Sequence, residues 1–168
     1  MSHLASGARL WFPDVVTSVP QPPEEHVPAT EEAVTLAVRA ADAAEDKKAT
    51  GPSILEVADL LALVDLFLIV TTSSHRQLKA VTEHIEHRLR EELRRRPLRR
   101  EGTAEAGWVL LDYGDVVCHV FLDEQREYYA LERLWADVPR RDPGSGVVLP
   151  APVAVGVGTG TDAGEAGA

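Results

Sequence analysis

The sequence has little cysteine, no long apolar run and no excess of basic residues, and each shortage excludes a class of protein. Cys118 is the only cysteine among the 168 residues, which excludes an internal disulfide and a multi-cysteine zinc site. We expect it to be a small buried side chain, because it lies in an apolar, strand-like run. No segment approaches the roughly 18 apolar residues that span a bilayer, and no secretion signal is evident. A cytoplasmic protein without a membrane partner is therefore predicted.

The chain carries a formal net charge of -10 and has an isoelectric point near 5.0. This balance argues against a general nucleic-acid binder, which normally presents a basic face to phosphates. An acidic protein more naturally meets basic partners, and ribosomal proteins are one abundant class of these. The charge alone therefore suggests a kind of partner but identifies none.

The two ends of the chain differ in composition from the middle. Residues 1–29 are rich in proline and contain one apolar patch, Leu10-Trp11-Phe12, which is either a docking motif or a fragment of a flexible extension. Residues 139–168 are rich in glycine, alanine, valine and proline, which is typical of a disordered tail. A single domain over residues 30–138 is predicted, large enough to fold without disulfides or metals.

The first half of this domain predicts helix, strand, strand and helix. Thr30 is suited to cap a helix that Gly51-Pro52 stops. Residues 54–57 form one candidate strand, and the almost wholly apolar residues 66–71 form a central one. Ser74 and Gln77 match a capping box, and the apolar stripe that follows predicts a helix ending before Pro97.

The second half predicts a hairpin and a closing helix. Residues 108–112 and 115–121 are two β-rich runs joined by Tyr113-Gly114. A helix starting at Asp123 or Glu124 follows, and most of its apolar side chains, Tyr128, Tyr129, Leu131 and Trp135, are expected to pack on the sheet. The order α-β-β-α-β-β-α predicts a compact α/β domain with a mixed sheet.

Several short segments, in order, resemble the family of ribosomal silencing factors known as RsfS or Iojap. They are the run WVLLDYGDVVCHVF at residues 108–121, then Arg126, residues 129–132 and Leu134-Trp135, and upstream residues 65–70, Ser74, Gln77 and the pair Glu101-Gly102. The resemblance covers about residues 30–138. The sequence departs from the family pattern at Gly51, Leu66 and Thr71-Thr72, whereas the hairpin matches.

The resemblance implies a fold similar to nucleotidyltransferases and a non-catalytic function. Members of the family bind the fourteenth protein of the large ribosomal subunit at the face where the subunits meet, and so block joining of the small subunit. No cofactor, metal or small-molecule substrate is expected, whereas a homodimer and a minor contact with ribosomal RNA remain open. The residues expected to contact the partner are Arg76, Glu101, Trp108, Leu110, Asp112, His119 and Phe121.

Catalytic and metal-binding alternatives find weaker support in the sequence. A divergent nucleotidyltransferase needs carboxylates that converge on metal ions, but Asp112 and Asp115 flank a hairpin turn and are better explained as turn residues. His84 and His87 lack an evident third ligand and are more often part of a solvated helix face. The run Arg94-Arg95-Arg96, together with Arg99 and Arg100, is either an RNA contact or a solvated helix end, and the second interpretation is favoured.

Alternation along the hairpin identifies a candidate contact face. Trp108, Leu110 and Asp112 share one side of their strand, while Val117, His119 and Phe121 share one side of the next. If helices cover only one face of the sheet, one of the alternating sets remains open for binding. Periodicity does not decide which set this is, and Trp108 and Phe121 are equally compatible with a core position.

Overall fold

The computed structural model describes residues 27–150, which form a six-stranded sheet and four helices. The helices are α1 (Glu31–Asp46), α2 (His75–Leu93), α3 (Asp123–Tyr129) and α4 (Leu131–Leu134). The strands are β1 (Thr50–Glu56), β2 (Leu66–Thr72), β3 (Arg99–Thr103), β4 (Trp108–Asp112), β5 (Val116–Leu122) and β6 (Arg140–Arg141). Their order across the sheet is β3-β4-β5-β2-β1-β6. The expected α/β domain with a mixed sheet is confirmed, whereas the likeness to nucleotidyltransferases stays a prediction.

The strands pair antiparallel except at the centre, where β2 and β5 are parallel neighbours. These two strands are linked by α2 and then by β3 and β4, so the connection is longer than a single strand-helix-strand unit. Six of the seven residues of β2 are buried, as expected for a strand covered on both faces. The central position of β2 therefore follows from its apolar sequence.

Both long helices begin where their capping residues predict. The hydroxyl of Thr30 accepts a hydrogen bond from the backbone N–H of Ala33 at 3.2 Å, and that of Ser74 accepts one from Gln77 at 3.2 Å. The side chain of Gln77 then donates to the carbonyls of Lys47 and Lys48, just after the end of α1. One side chain thus joins the start of α2 to the end of α1.

Helices α1 and α2 cover one face of the sheet and form the main core with it. The buried side of α1 consists of alanines and Leu36, and small side chains let this helix lie close to its neighbours. Leu68, Val109 and Cys118 project from the strands into this core, so the expected burial of the cysteine is confirmed. Among residues 27–150 no helix has the length and apolar character needed to cross a membrane.

A second, smaller cluster lies on the opposite face of the sheet. Its buried members are Leu55, Val57, Ile69, Phe121 and Val138, and the half-buried Phe67, Trp108, Leu131 and Trp135 pack against them. The chain segment that follows β5 covers this face in part. The two faces therefore differ, one covered by two long helices and the other by one short segment.

The closing helix is broken, which corrects the prediction of one continuous helix. Ala130 adopts a left-handed conformation with φ of 45°, and it separates α3 from α4. Tyr128 is 83% exposed, so the expectation that most apolar residues of this helix pack on the sheet is wrong for it. Leu131 and Trp135 do pack there.

Two strands were not expected from the sequence. Arg99 and Arg100 begin β3, where the sequence indicated the end of a helix. Arg140 and Arg141 form β6, which pairs with β1 beyond the expected domain boundary at residue 138, so a disordered tail starting at residue 139 is wrong for these residues. The rest of that tail from residue 151, and residues 1–26 of the N-terminal extension, lie outside the described residues.

Candidate docking surface on the open face of the sheet

The hairpin presents one set of side chains away from α1 and α2. Val109 and Leu111 are fully buried against those helices, so alternation places Trp108, Leu110 and Asp112 on the opposite side. We call this side of β3, β4 and β5 the open face. The question that periodicity left undecided is thus answered by the position of the two long helices.

Strand register extends the open face into a small surface across three strands. Leu110 stands between Glu101 of β3 and His119 of β5, and Trp108 stands between Thr103 and Phe121. Glu101 and Thr103 are exposed, Leu110 and Trp108 are half-buried, and the two β5 residues are buried. Exposure therefore falls from the edge strand towards the centre of the sheet.

In the pair Glu101-Gly102, the backbone conformation requires glycine at the second position. Gly102 has a φ of 76°, and a Cβ at this position would lie 2.2 Å from the carbonyl oxygen of Trp108. A side chain would therefore collide with the backbone of β4. Glycine allows β3 to pair closely with β4, which places Glu101 beside Leu110.

Trp108 is held by an aromatic cluster rather than standing alone. Its ring centroid lies 5.9 Å from that of Tyr129, 6.3 Å from that of Phe121 and 6.5 Å from that of His119. The indole Nε1 is also 3.5 Å from Nδ1 of His119. These contacts hold the indole in one orientation, and a rigid aromatic side chain is well suited to anchor an interface.

Tyr129 belongs to this surface although it was not among the predicted contact residues. It is 50% exposed and packs on both Trp108 and Phe121 from the last turn of α3. The sequence offered a signal in the consecutive tyrosines of a short helix, but their contact with the hairpin requires the fold. Tyr128 packs edge-on against Tyr129 and points into solvent.

His119 and Phe121 were predicted to contact the partner, and the structure places both of them beneath the surface of the open face. Phe121 is 2% exposed and His119 is 8% exposed, because Trp108, Phe67 and Tyr129 surround them. Burial lowers the pKa of His119 to about 4, against a weaker opposing effect of Glu132. The imidazole is therefore neutral near pH 7, and both residues support the open face from below.

The remaining predicted contact residues occupy different places. Arg76 is exposed in the first turn of α2, a helix that packs on the other face of the sheet. Asp112 is half-buried on the open face and accepts a hydrogen bond from the backbone N–H of Gly114 at 2.8 Å. The structure thus brings Glu101, Trp108, Leu110 and Asp112 together on neighbouring strands.

Arg126 fixes the α3–α4 segment beside this surface. Its guanidinium donates to the carbonyl oxygen of Gly51 at 2.7 Å and to the hydroxyl of Thr71 at 2.6 Å, and it pairs with Glu132. The arginine thereby joins α3, α4, β1 and β2. The position of the α3–α4 segment on the open face therefore depends on this arginine.

The candidate catalytic groups have structural partners. Asp115 forms an ion pair with Arg95 at 2.6 Å, while Asp112 binds the backbone of its own turn, so the two carboxylates are engaged separately. His84 contacts Asp46 at 3.2 Å on α1, and His87 contacts Arg90. Within residues 27–150 no group of three or more His, Cys, Asp or Glu side chains is placed to hold a metal ion.

Comparison with known proteins identifies the family to which this fold and surface belong. The family model described as ribosomal silencing factor during starvation matches residues 30–154, most of the chain. The chain belongs to the RsfS family. The RsfS protein of Halalkalibacterium halodurans is 39% identical over 111 residues, which cover 66% of this chain and 92% of that protein.

A solved structure and a more distant relative agree with this assignment. A crystal structure of a Chromobacterium violaceum protein matches with a TM-score of 0.57 and 34% identity, covering 61% of this chain and 84% of that one. A mouse protein named mitochondrial assembly of ribosomal large subunit protein 1 is 31% identical over 84 residues, covering 49% of this chain and 37% of that protein. The resemblance found in the sequence is thus confirmed, and ribosome silencing is the function attached to the family.

Proposed function

We propose that this RsfS protein binds the large ribosomal subunit through the open face of its sheet and keeps the small subunit from joining. The bound protein acts by occupying space, and no bond is made or broken. The proposed partner is the fourteenth protein of the large subunit, at the face where the subunits meet. A cytoplasmic location and the absence of catalysis belong to the same proposal.

One observation carries the proposal: an apolar side chain is partly exposed at the centre of a preformed surface. Leu110 is half-buried in the middle of the open face, with the aromatic pair Trp108 and Tyr129 on one side and Glu101 on the other. An apolar centre with aromatic anchors and a polar edge is the usual composition of a protein interface. The name of the family supports the ribosome as the partner. The name of the mouse relative supports the large subunit as the part that is bound.

The titratable groups near this face favour binding over catalysis. His119 is buried and neutral near pH 7, and Asp112 is bound to its turn. A nucleophile, a free acid and a free base do not converge on the open face within the part of the chain that the structure describes. The side chains that do converge there form an apolar surface that suits binding to another protein.

The experiment is binding of the purified protein to purified large subunits, measured by sedimentation over a range of concentrations. Leu110→Glu places a charge at the proposed centre, and we expect its affinity to fall at least about 30-fold, the effect of losing a central interface residue. Val147→Glu is the matched control, because Val147 is 63% exposed on the segment that packs against α1. It is expected to bind like the unmodified protein.

A second measurement tests occlusion separately from binding. Light scattering reports the joining of small subunits to large ones, and saturating amounts of the protein are expected to suppress that signal. Binding without suppression would contradict the proposed mechanism. Equal affinities of the Leu110→Glu variant and the unmodified protein would contradict the proposed surface.

The homodimer stays a prediction, and the same face is its proposed site. Two copies that pair through Leu110 and Trp108 would hide the ribosome-binding surface from solvent. Size-exclusion chromatography with light scattering measures the mass directly. If a dimer forms and Leu110→Glu converts it to a monomer, then dimerisation and ribosome binding compete for the open face.

A further inference from the structure

The loop between β1 and β2 exposes more apolar surface than its neighbours. Leu63 is 85% exposed and Leu60 is 61% exposed, whereas Leu61 and Val64 of the same loop pack into the smaller apolar cluster. Two exposed leucines within one short loop offer apolar area to a partner side chain. We call Leu60 and Leu63 the leucine loop.

The N-terminal part of the chain enters the domain at this loop. The backbone N–H of Val27 donates to the carboxylate of Asp59 at 2.7 Å, directly beside Leu60. Two residues on, the N–H of Ala29 donates to Glu56 at 2.6 Å. The first described residue is therefore fixed next to the leucine loop, and 26 residues precede it in the sequence.

The preceding residues contain one concentrated apolar motif, Leu10-Trp11-Phe12. Fifteen peptide units join Phe12 to Val27, which gives a maximum reach of about 50 Å. The motif can therefore reach the leucine loop. A tether of this length gives a local concentration on the order of millimolar, so a contact too weak to form between separate molecules is populated.

We propose that Leu10-Trp11-Phe12 packs on the leucine loop of its own chain. The occupant is apolar and aromatic, as the exposed leucines require, and the entry point at Asp59 places it near them. A second copy is a poorer occupant, because a motif on the same chain has a higher local concentration at the loop than one on a separate chain. The inference does not depend on ribosome binding.

A paramagnetic label on the N-terminal arm tests the contact in the full chain. Cys118 is fully buried, and burial raises the pKa of its thiol to about 12, so a nitroxide reagent reacts selectively at a new Ser6→Cys site. In an isotope-labelled sample we expect loss of the amide signals of residues 59–64. Trp11→Ser keeps the same tether and is expected to restore them.

A variant of the leucine loop and a control variant elsewhere test which surface the motif contacts. Leu60→Ser/Leu63→Ser alters only exposed side chains, and it is expected to restore the signals of the loop. Tyr128→Ser removes an equally exposed apolar side chain at the other end of the sheet, and it is expected to leave the signal loss unchanged.

Three results would overturn the proposal. The first is that the signal loss persists in Trp11→Ser, which would show that the tether alone causes it. The second is that the amide signals of Trp108 and Leu110 are lost instead, which would place the motif on the open face. The third is that a chain carrying the nitroxide broadens the signals of a separate, isotope-labelled chain, which would show that the motif binds another copy. None of these measurements involves ribosomes, so failure here leaves the proposed docking surface untouched.

Discussion

His119 sits where a titratable side chain is costly, because aromatic rings surround it and little water reaches it. Its ring packs edge-on against Phe67 and stacks with Phe121 and Trp108. Burial lowers its pKa to about 4 in the folded protein, compared with an ordinary value of 6.5. Between these two values the unfolded chain takes up a proton that the folded protein does not.

The first prediction is that His119 makes the protein less stable in mild acid. Because its folded pKa is the lower one, its contribution to stability is complete above about pH 6.5 and is lost as the pH falls towards about 4. Between about pH 7 and about pH 5 this one residue should cost about 2 kcal/mol of unfolding free energy. Urea unfolding at both pH values measures it. Glutamine does not titrate, so the loss between the two pH values should be about 2 kcal/mol smaller in His119→Gln than in the unmodified protein. Equal losses in both proteins would contradict a lowered pKa for His119.

At the scale of elements, one arginine forms hydrogen bonds that join the α3–α4 segment to the sheet, in addition to the apolar contacts of Leu131 and Trp135. Neither helix has a fully buried residue, and Ala130 between them is in a left-handed conformation that alanine disfavours. Arg126 offsets this by its bonds to Gly51, Thr71 and Glu132. The position of Tyr129 beside Trp108 depends on this attachment.

The second prediction follows from that attachment. Arg126→Ala should destabilise the protein by about 2 kcal/mol, the contribution of charge-assisted hydrogen bonds at a partly buried site. Hydrogen exchange of residues 123–135 should accelerate more than that of α1 and α2. Arg126→Lys should recover little, because one ammonium cannot reach the same set of acceptors. Arg133→Ala removes an exposed arginine from the same segment and should change stability by less than about 0.5 kcal/mol. Equal effects of the two alanine variants would contradict the role of Arg126.

The third prediction concerns the other short attachment, where β6 joins the edge of β1. The carboxylate of Glu56 is fully buried and pairs with Arg141 at 2.9 Å. Arg141→Ala removes that partner from a buried charge and should cost about 3–5 kcal/mol. Adding Glu56→Gln should restore part of the loss, because a neutral amide is less costly to bury and still accepts from Ala29. Thermal unfolding of the two variants compares them, and a double variant less stable than Arg141→Ala would contradict this account.

The sequence predicted those elements whose stability comes from their own pattern. Apolar spacing and capping residues located α1, α2 and the hairpin, because each buries a regular stripe of side chains. Strand β3 escaped prediction because all five of its residues are exposed and its stability comes from backbone pairing with β4. Strand β6 pairs with β1 and is joined to it by the ion pair of Arg141 with Glu56, a distant partner that no local pattern reveals.

The docking surface was predictable only in part for the same reason. Alternation correctly grouped Trp108 with Leu110 and Asp112, since a strand imposes it. Which members of the group are exposed depends on what covers them, and the α3–α4 segment is placed by Arg126. His119 and Phe121 are therefore buried although they share the face.

At the scale of the whole molecule, the arginine-rich stretch after α2 is largely neutralised by the protein itself. Arg95 pairs with Asp115, Arg100 with Glu86 and Arg99 with Glu101. Within the described part of the chain, Arg94 and Arg96 form no ion pair, and both are exposed. Two free cations on a protein with a net charge of -10 make a weak site for phosphates.

The fourth prediction is that binding to the large subunit depends little on salt. Each phosphate neutralised by a cation steepens the salt dependence of the association constant by nearly one logarithmic unit per tenfold change in salt. An interface built on Leu110, Trp108 and Tyr129 should therefore weaken by less than about fourfold between 50 and 200 mM salt, whereas three phosphate contacts would weaken it about fortyfold. Sedimentation binding across that range separates the two cases. If the steep dependence is found and Arg94→Ala/Arg96→Ala abolishes it, ribosomal RNA is a principal partner, because the lost dependence then belongs to two cations that contact phosphates.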